Sequence, residues 1–303
     1  MTENKVIIGT APDSWGVWFA DDPKQTPWER FLDEVAEAGY KWIELGPYGY
    51  LPTDPSRLAD ELSARDLRVS AGTVFTAFHR GRDQWEEAWE PARQVAELTA
   101  AMGGKHIVVI PAMWRDDVTG EPVENEVLTP AQWDSLFAGH DELGRRLQEQ
   151  FGLAQQFHSH ADSHVQGQAD IERLLENTDP QLLTLCLDTG HAEYGGASSV
   201  DLIRKYPDRI GYLHLKQIDP DVLAKVRAEN LTWAAANTAG VMAEPPSGLP
   251  DLGEVIEAVE RLDRPVFGIV EQDMYPIPFD VPLPIAKRTR RYLLSCGSRT
   301  SVS

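Results

Sequence analysis

Five of the eight histidines, at positions 158, 160, 164, 191 and 214, fall close together in the chain. Among and after them stand Asp188, Lys216 and the run Glu271-Gln272-Asp273. His158, Asp188, His214 and Glu271 together offer two imidazoles and two carboxylates. That donor set suits a divalent transition metal with open positions, Mn2+ or Co2+ first, then Zn2+ or Fe2+. Mg2+ and Ca2+ prefer shells of oxygen alone. Singly, each residue has a plainer use. A histidine at a strand end is ordinarily a hydrogen-bonded loop residue, and an Asp before Thr-Gly is ordinarily a turn or a cap. The set points to a metal where the single residue does not.

Something must bring these residues together, and the periodicity supplies it. A short apolar run followed by an amphipathic stretch recurs eight times. The runs are 6–9, 42–45, 67–71, 107–110, 153–157, 182–187, 210–215 and 265–270. Between them apolar residues return at helical spacing, as at Phe31, Leu32, Val35 and Ala38, or Trp85, Trp89, Ala92, Val95 and Leu98. Thr26-Pro27-Trp28-Glu29 predicts a helix start with Thr26 as the cap, Gly39 its stop, and Pro91 a kink. Eight such units predict an α/β fold, a (β/α)8 TIM barrel, as a single domain over residues 1–303. A doubly wound open sheet is the alternative, but no G-x-G-x-x-G follows the first run. The longest irregular stretch, 219–250, follows the seventh strand and is expected to form a lid.

In a TIM barrel, functional residues belong at the C-terminal ends of strands. Glu44 ends the second run, His158 and His160 the fifth, Asp188 and His191 the sixth, His214 and Lys216 the seventh, and Glu271 the eighth. Residues 158 and 160 share a strand face, so both can enter one pocket. Trp15 and Tyr48, near strand ends, are either core packing or a flat wall for a sugar or cyclitol ring. Cys186, inside the sixth run, reads as a small buried hydrophobe.

The balance of 28 Lys and Arg against 48 Asp and Glu gives a net charge of −20. That disfavours duplex nucleic acid and anionic membranes as partners and leaves a small molecule. Two cysteines argue against a disulfide scaffold. No apolar run approaches the roughly 20 residues of a membrane span, and the start is unlike a secretion signal, so a cytoplasmic protein is expected. A homo-oligomer is compatible with all of this.

Leu187-Asp188-Thr189-Gly190-His191, His214-Leu215-Lys216 and Val270-Glu271 resemble the xylose-isomerase-like barrel superfamily of sugar isomerases, epimerases and dehydratases. Glu44-Leu45-Gly46-Pro47 with Gly49-Tyr50-Leu51-Pro52, His158-Ser159-His160 and Asn177-Thr178-Asp179-Pro180 are similar to the inosose dehydratases of inositol catabolism. The resemblance spans most of the chain. It implies a divalent metal held by Asp188, His214 and Glu271, with His158 where the ketose epimerases carry a glutamate. Epimerisation uses two carboxylates, one on each face of the carbon, so His158 weighs against it. Ser159 replaces a third histidine usual in the dehydratases.

The implied reaction is a hydro-lyase step on a keto-cyclitol, with 2-keto-myo-inositol (scyllo-inosose) leading. His158, His160 or Glu271 would take the proton α to the ketone, His160 if His158 holds metal. His191 or Lys216 would protonate the departing hydroxyl or orient the substrate, and Glu44 would hold its hydroxyls. The alternatives are a sugar or sugar-phosphate isomerase or epimerase, a lyase on a 3-keto glycoside, and a non-catalytic polyol-binding protein. A phosphate would need Arg115 or Lys216.

Overall fold

The chain alternates strand and helix, and the apolar runs pair edge to edge. The computed structural model describes residues 5–299. In chain order it contains β1 (Val6–Thr10), α1 (Trp28–Ala38), β2 (Trp42–Glu44), α2 (Pro55–Ser63), β3 (Arg68–Thr76), α3 (Arg82–Ala101), β4 (His106–Pro111) and α4 (Pro130–Phe151). Then come β5 (Ala154–His158), α5 (Gln168–Asn177), β6 (Leu183–Asp188), α6 (Thr189–Tyr194), α7 (Ser199–Lys205) and β7 (Ile210–Leu215). A hairpin of β8 (Gln217–Ile218) and β9 (Met242–Ala243) encloses α8 (Pro220–Glu229) and α9 (Trp233–Thr238). The chain ends with α10 (Leu252–Glu260), β10 (Val266–Val270) and α11 (Pro282–Arg299). Parallel pairing in the order β1-β10-β7-β6-β5-β4-β3-β2 closes the barrel, as expected of the (β/α)8 class.

Alternation along the strands sorts side chains into layers. At the base of the barrel Trp42, His106, Tyr212 and Phe267 meet ring to ring. Above them Ala11, Ala71, Val108, Cys186 and Ile269 fill the interior. The next residues along the same faces are His158, Asp188, His214 and Glu271. Cys186 is the small hydrophobe expected, and burial pushes its thiol up to about 12. Outside the barrel the second core packs helix stripes on strands, with Phe31, Leu32, Val35, Leu58, Leu147 and Ile171 fully buried.

Several local expectations change. Thr26 does not cap α1; Pro27 holds that position, and the Thr26 hydroxyl donates to the Trp15 carbonyl. Helix α3 runs as one element through Pro91. Strand β3 extends to Thr76, because pairing with β4 from Ala71 to Thr76 carries it past Gly72. Residues 219–250 are not irregular: Asp219 caps α8 and Thr232 caps α9. Ile218, Leu223, Val226, Trp233 and Val241 give the segment a small apolar core of its own.

His140, on α4, is fully buried between the rings of Phe78 and Phe157. Its Nδ1 lies 2.9 Å from Gln155 Oε1 and its Nε2 has no partner. Burial holds its pKa down to about 4. The unfolded chain titrates near 6.5, so it takes up the proton first as pH falls. This contribution is complete above about pH 6.5 and is lost down to about pH 4. Between pH 7 and pH 5 His140→Asn should therefore remove on the order of 1–2 kcal/mol of the wild-type loss in stability. Urea unfolding at both pH values measures it; parallel losses in the two proteins would refute it.

Candidate metal centre

Strand register assembles the centre. Asp188 pairs with His214 across β6 and β7, and His214 with Ile269 across β7 and β10. His158 ends β5 beside Cys186 of β6. The four residues are 7% exposed or less. One donor atom from each, within 4.8 Å of the others, faces a common point. His158 Nε2 is 3.2 Å from Asp188 Oδ2 and 4.0 Å from Glu271 Oε2. His214 Nδ1 is 3.6 Å from Asp188 Oδ2 and 2.8 Å from Glu271 Oε2. Four tetrahedral donors about 2.1 Å from an ion stand roughly 3.4 Å apart, so the spacing fits. The donor chemistry fits as well. His214 Nδ1 is buried without a well-formed hydrogen bond, while its Nε2 lies 2.8 Å from Glu44 Oε1. An imidazole that gives its far N–H to a carboxylate presents a bare nitrogen to the ion. The centre can hold a divalent cation.

The Asp-Thr-Gly-His segment has a physical use at each position. Asp188 Oδ1 caps α6 by accepting the His191 N–H, which leaves Oδ2 for the centre. Thr189 Oγ1 donates to the Lys216 carbonyl and accepts the Lys216 N–H, tying α6 to the end of β7. A side chain at Gly190 would run into the Lys216 stem. That stem carries the ammonium to 3.0 Å from Asp188, 2.7 Å from Glu271 and 2.8 Å from Asp273. Burial works against ionising Asp188 and Glu271, but Lys216 and the imidazoles outweigh it and hold both well below the usual carboxylate range. Burial and then Glu271 push Asp273 up to about 6. Asp13, in the turn after β1, is raised well above the usual carboxylate range by burial and then by Glu271 and Asp273. Despite burial, His214 is raised by Cys186 and then by Glu271 and Glu44, and Lys216 by Asp188, Asp273 and Glu271.

His160 and His191 lie side by side, ring centres 4.0 Å apart. The Ala161 backbone touches both. Its carbonyl lies 2.7 Å from His160 Nδ1, and its N–H donates to His191 Nδ1 at 3.1 Å. A carbonyl only accepts and an N–H only donates, which fixes opposite tautomers. His160 carries its proton on Nδ1 and has a free Nε2 lone pair; neutral His191 carries its proton on Nε2. Burial, then neighbouring histidines, hold both rings neutral, His160 at about 3.

Other expectations need correction. Trp15 is fully buried, donates from Nε1 to Glu34 and packs edge-on to Phe31, so it walls no pocket. Tyr48 is 41% exposed on the loop after β2 and takes no part in the cluster. Glu44 is 2% exposed, its oxygens engaged by His214 and Thr73, and so is turned to the metal-facing imidazole rather than to a substrate. Arg115 is spent in an ion pair with Asp162 and on the carbonyls of Asn230 and Leu231. The aromatic ring beside the imidazole pair is instead that of Trp233 of α9, with its ring centre 4.3 Å from that of His191 and 5.6 Å from that of His160. It was missed because it lies in 219–250; an aromatic in a long loop on the site face was its signal. Asp13 had no signal beyond its place after the first strand.

The profile of the xylose isomerase-like TIM barrel family matches residues 32–286, and the chain belongs to that family. Its curated relatives narrow this. It is 32% identical to the inosose dehydratase of Geobacillus kaustophilus, over 96% of this chain and 95% of that one, and 28% identical to that of Clostridium botulinum strain Alaska E43, over 96% and 97%. Within the superfamily it is therefore one of the inosose dehydratases, a group of hydro-lyases. Among solved structures, IolI protein with a bound zinc atom superposes with a TM-score of 0.73 at 16% identity, over 97% of this chain and 99% of that one. L-ribulose 3-epimerase gives 0.70 at 18%, over 98% and 97%. These two likenesses speak for the fold.

Asp188→Ala removes the oxygen that both imidazoles approach. Elemental analysis after desalting should show one bound divalent ion fewer per chain than in the wild type; unchanged metal content would refute the centre.

Proposed function

We propose that the protein removes water from a keto-cyclitol, 2-keto-myo-inositol (scyllo-inosose), as a metal-dependent hydro-lyase. The observation that carries the reading is the pair of imidazoles locked in opposite tautomers beside the four-donor centre. Dehydration needs a proton taken from carbon and one given to oxygen; the pair offers a bare nitrogen to carry that proton and an N–H to hold the departing hydroxyl. His158, Asp188, His214 and Glu271 would hold the ion, Mn2+ or Co2+ first. Such an ion polarises the ketone and supports the negative charge that develops on its oxygen.

The chain's own groups do the rest. His160 Nε2 takes the proton from the carbon α to the ketone. The His160 imidazolium so formed gives that proton to the β-hydroxyl, which leaves as water while His191 Nε2–H orients it, so the substrate loses one water and both imidazoles end neutral. Lys216, between Asp188, Glu271 and Asp273, orients substrate hydroxyls and offsets local negative charge. Glu44 fixes the His214 ring. Trp233 offers the cyclitol ring a flat wall, the part first expected of Trp15. The chain acts as one domain, with 219–250 a lid that admits substrate to the buried centre. The commitment of Arg115 to that segment disfavours a phosphorylated substrate. A cytoplasmic setting is part of this proposal; the net charge of −20 disfavours nucleic acid and anionic membranes as partners.

The test is incubation of metal-loaded protein with 2-keto-myo-inositol, with and without chelator. A product lighter by one water, with the absorbance of a conjugated dione and formed only without chelator, is expected. A product of unchanged mass would mean isomerisation. His160→Gln and His191→Gln should each lower kcat about 10²–10⁴-fold, while Trp233→Ala should act mainly on KM.

A further inference from the structure

A second cluster, sharing no residue with the first, lies where three successive barrel loops meet. His79 is in the turn after β3, Glu124 in the loop after β4, and His164 in the loop after β5. Their donor atoms lie within 4.8 Å of one another. His79 Nε2 is 2.9 Å from Glu124 Oε2, and His164 Nε2 is 3.3 Å from Glu124 Oε1. The imidazole ring centres are 4.5 Å apart.

The protonation pattern of His164 is the telling feature. Its Nδ1 lies 2.9 Å from the Glu126 carbonyl, which can only accept, so Nδ1 carries the proton. Neutral His164 then turns a bare Nε2 lone pair toward a carboxylate oxygen. That nitrogen is buried without a well-formed hydrogen bond, in a side chain 3% exposed. Lone pair facing carboxylate in a buried setting is unfavourable unless a proton or a metal ion lies between them. An imidazole anchored through its far N–H to a backbone carbonyl is also how proteins orient a metal-binding histidine. Arg80 reaches the same carboxylate at 2.9 Å from a 43% exposed side chain. It covers part of Glu124 from the solvent side and leaves the face between the two rings.

We propose that His79, Glu124 and His164 form a second metal site, specific for a divalent transition ion of the Zn2+ class, with one coordination position open. Two nitrogens and one carboxylate oxygen match that ion's preferences and not those of Mg2+ or Ca2+. The ion would join the loops after β3, β4 and β5. The middle loop also carries Arg115, whose bonds to Asn230 and Leu231 hold the 219–250 segment, so the ion would stiffen that segment's seat.

Chelator-treated full-length protein is titrated with Zn2+, and bound ion is counted after desalting. Two equivalents are expected for the wild type, one for His79→Leu, His164→Leu or Asp188→Ala, and none for Asp188→Ala/His164→Leu. Saturation of the wild type at one equivalent would overturn the site, as would a second equivalent that survives both His79→Leu and His164→Leu. Should those variants lose their far-UV circular dichroism, Co2+ in Asp188→Ala decides. Visible absorption of a low-coordinate imidazole site supports the proposal, and its absence overturns it. The readout is metal count and spectrum, so it stands apart from whether the protein dehydrates a cyclitol.

Discussion

Negative charge buried at the mouth of the barrel is the constraint on which the rest of the structure turns. Asp188, Glu271 and Asp273 converge within reach of one ammonium, and Asp13 and Glu44 add to the same field. Buried carboxylates are tolerated only with partners. Lys216 and His214 are those partners here, and both are pulled toward their charged forms by the acids around them. A divalent ion would compete for the same oxygens. Lys216 is thus placed to yield Asp188 and Glu271 while keeping Asp273.

The backbone carries as much of the chemistry as the side chains. Ala161 contributes one N–H and one carbonyl, and these alone make the two adjacent imidazoles unlike. A side-chain partner could rotate or change protonation; a buried peptide group in the turn after β5 cannot. The same economy appears at Thr189, whose single hydroxyl ties α6 to the end of β7. Precision in this centre comes from parts that have no freedom to adjust.

Much of this was legible because the barrel strands alternate. Residues 184, 186 and 188, or 267, 269 and 271, share a face, so an apolar run ending in a carboxylate already places that carboxylate at the mouth. The four donors emerge from β5, β6, β7 and β10 for this reason. Where alternation says nothing, the reading failed. Trp15 lies in a tight turn after β1 that folds its ring outward against α1, toward Glu34 and Phe31. Glu44 sits on a three-residue strand, and only the opposite wall of the barrel, through His214, decides where its carboxylate goes. Trp233 reaches the site by tertiary packing of a segment whose helices are short.

That packing has its own logic. Apolar residues of 219–250 form a small core over the mouth, but two polar bonds settle its position. Asp162 accepts the Trp233 N–H with one oxygen and Arg115 with the other, so one carboxylate joins the loop after β5, the loop after β4 and α9. Asp162 holds a left-handed backbone, φ 61°, which a non-glycine residue adopts only where its surroundings compensate. The bond is to the Trp233 backbone, so it fixes the start of α9 beside His191. One carboxylate thus couples the two loops to α9: whatever steadies the Arg115 loop also steadies the start of α9 beside the imidazole pair.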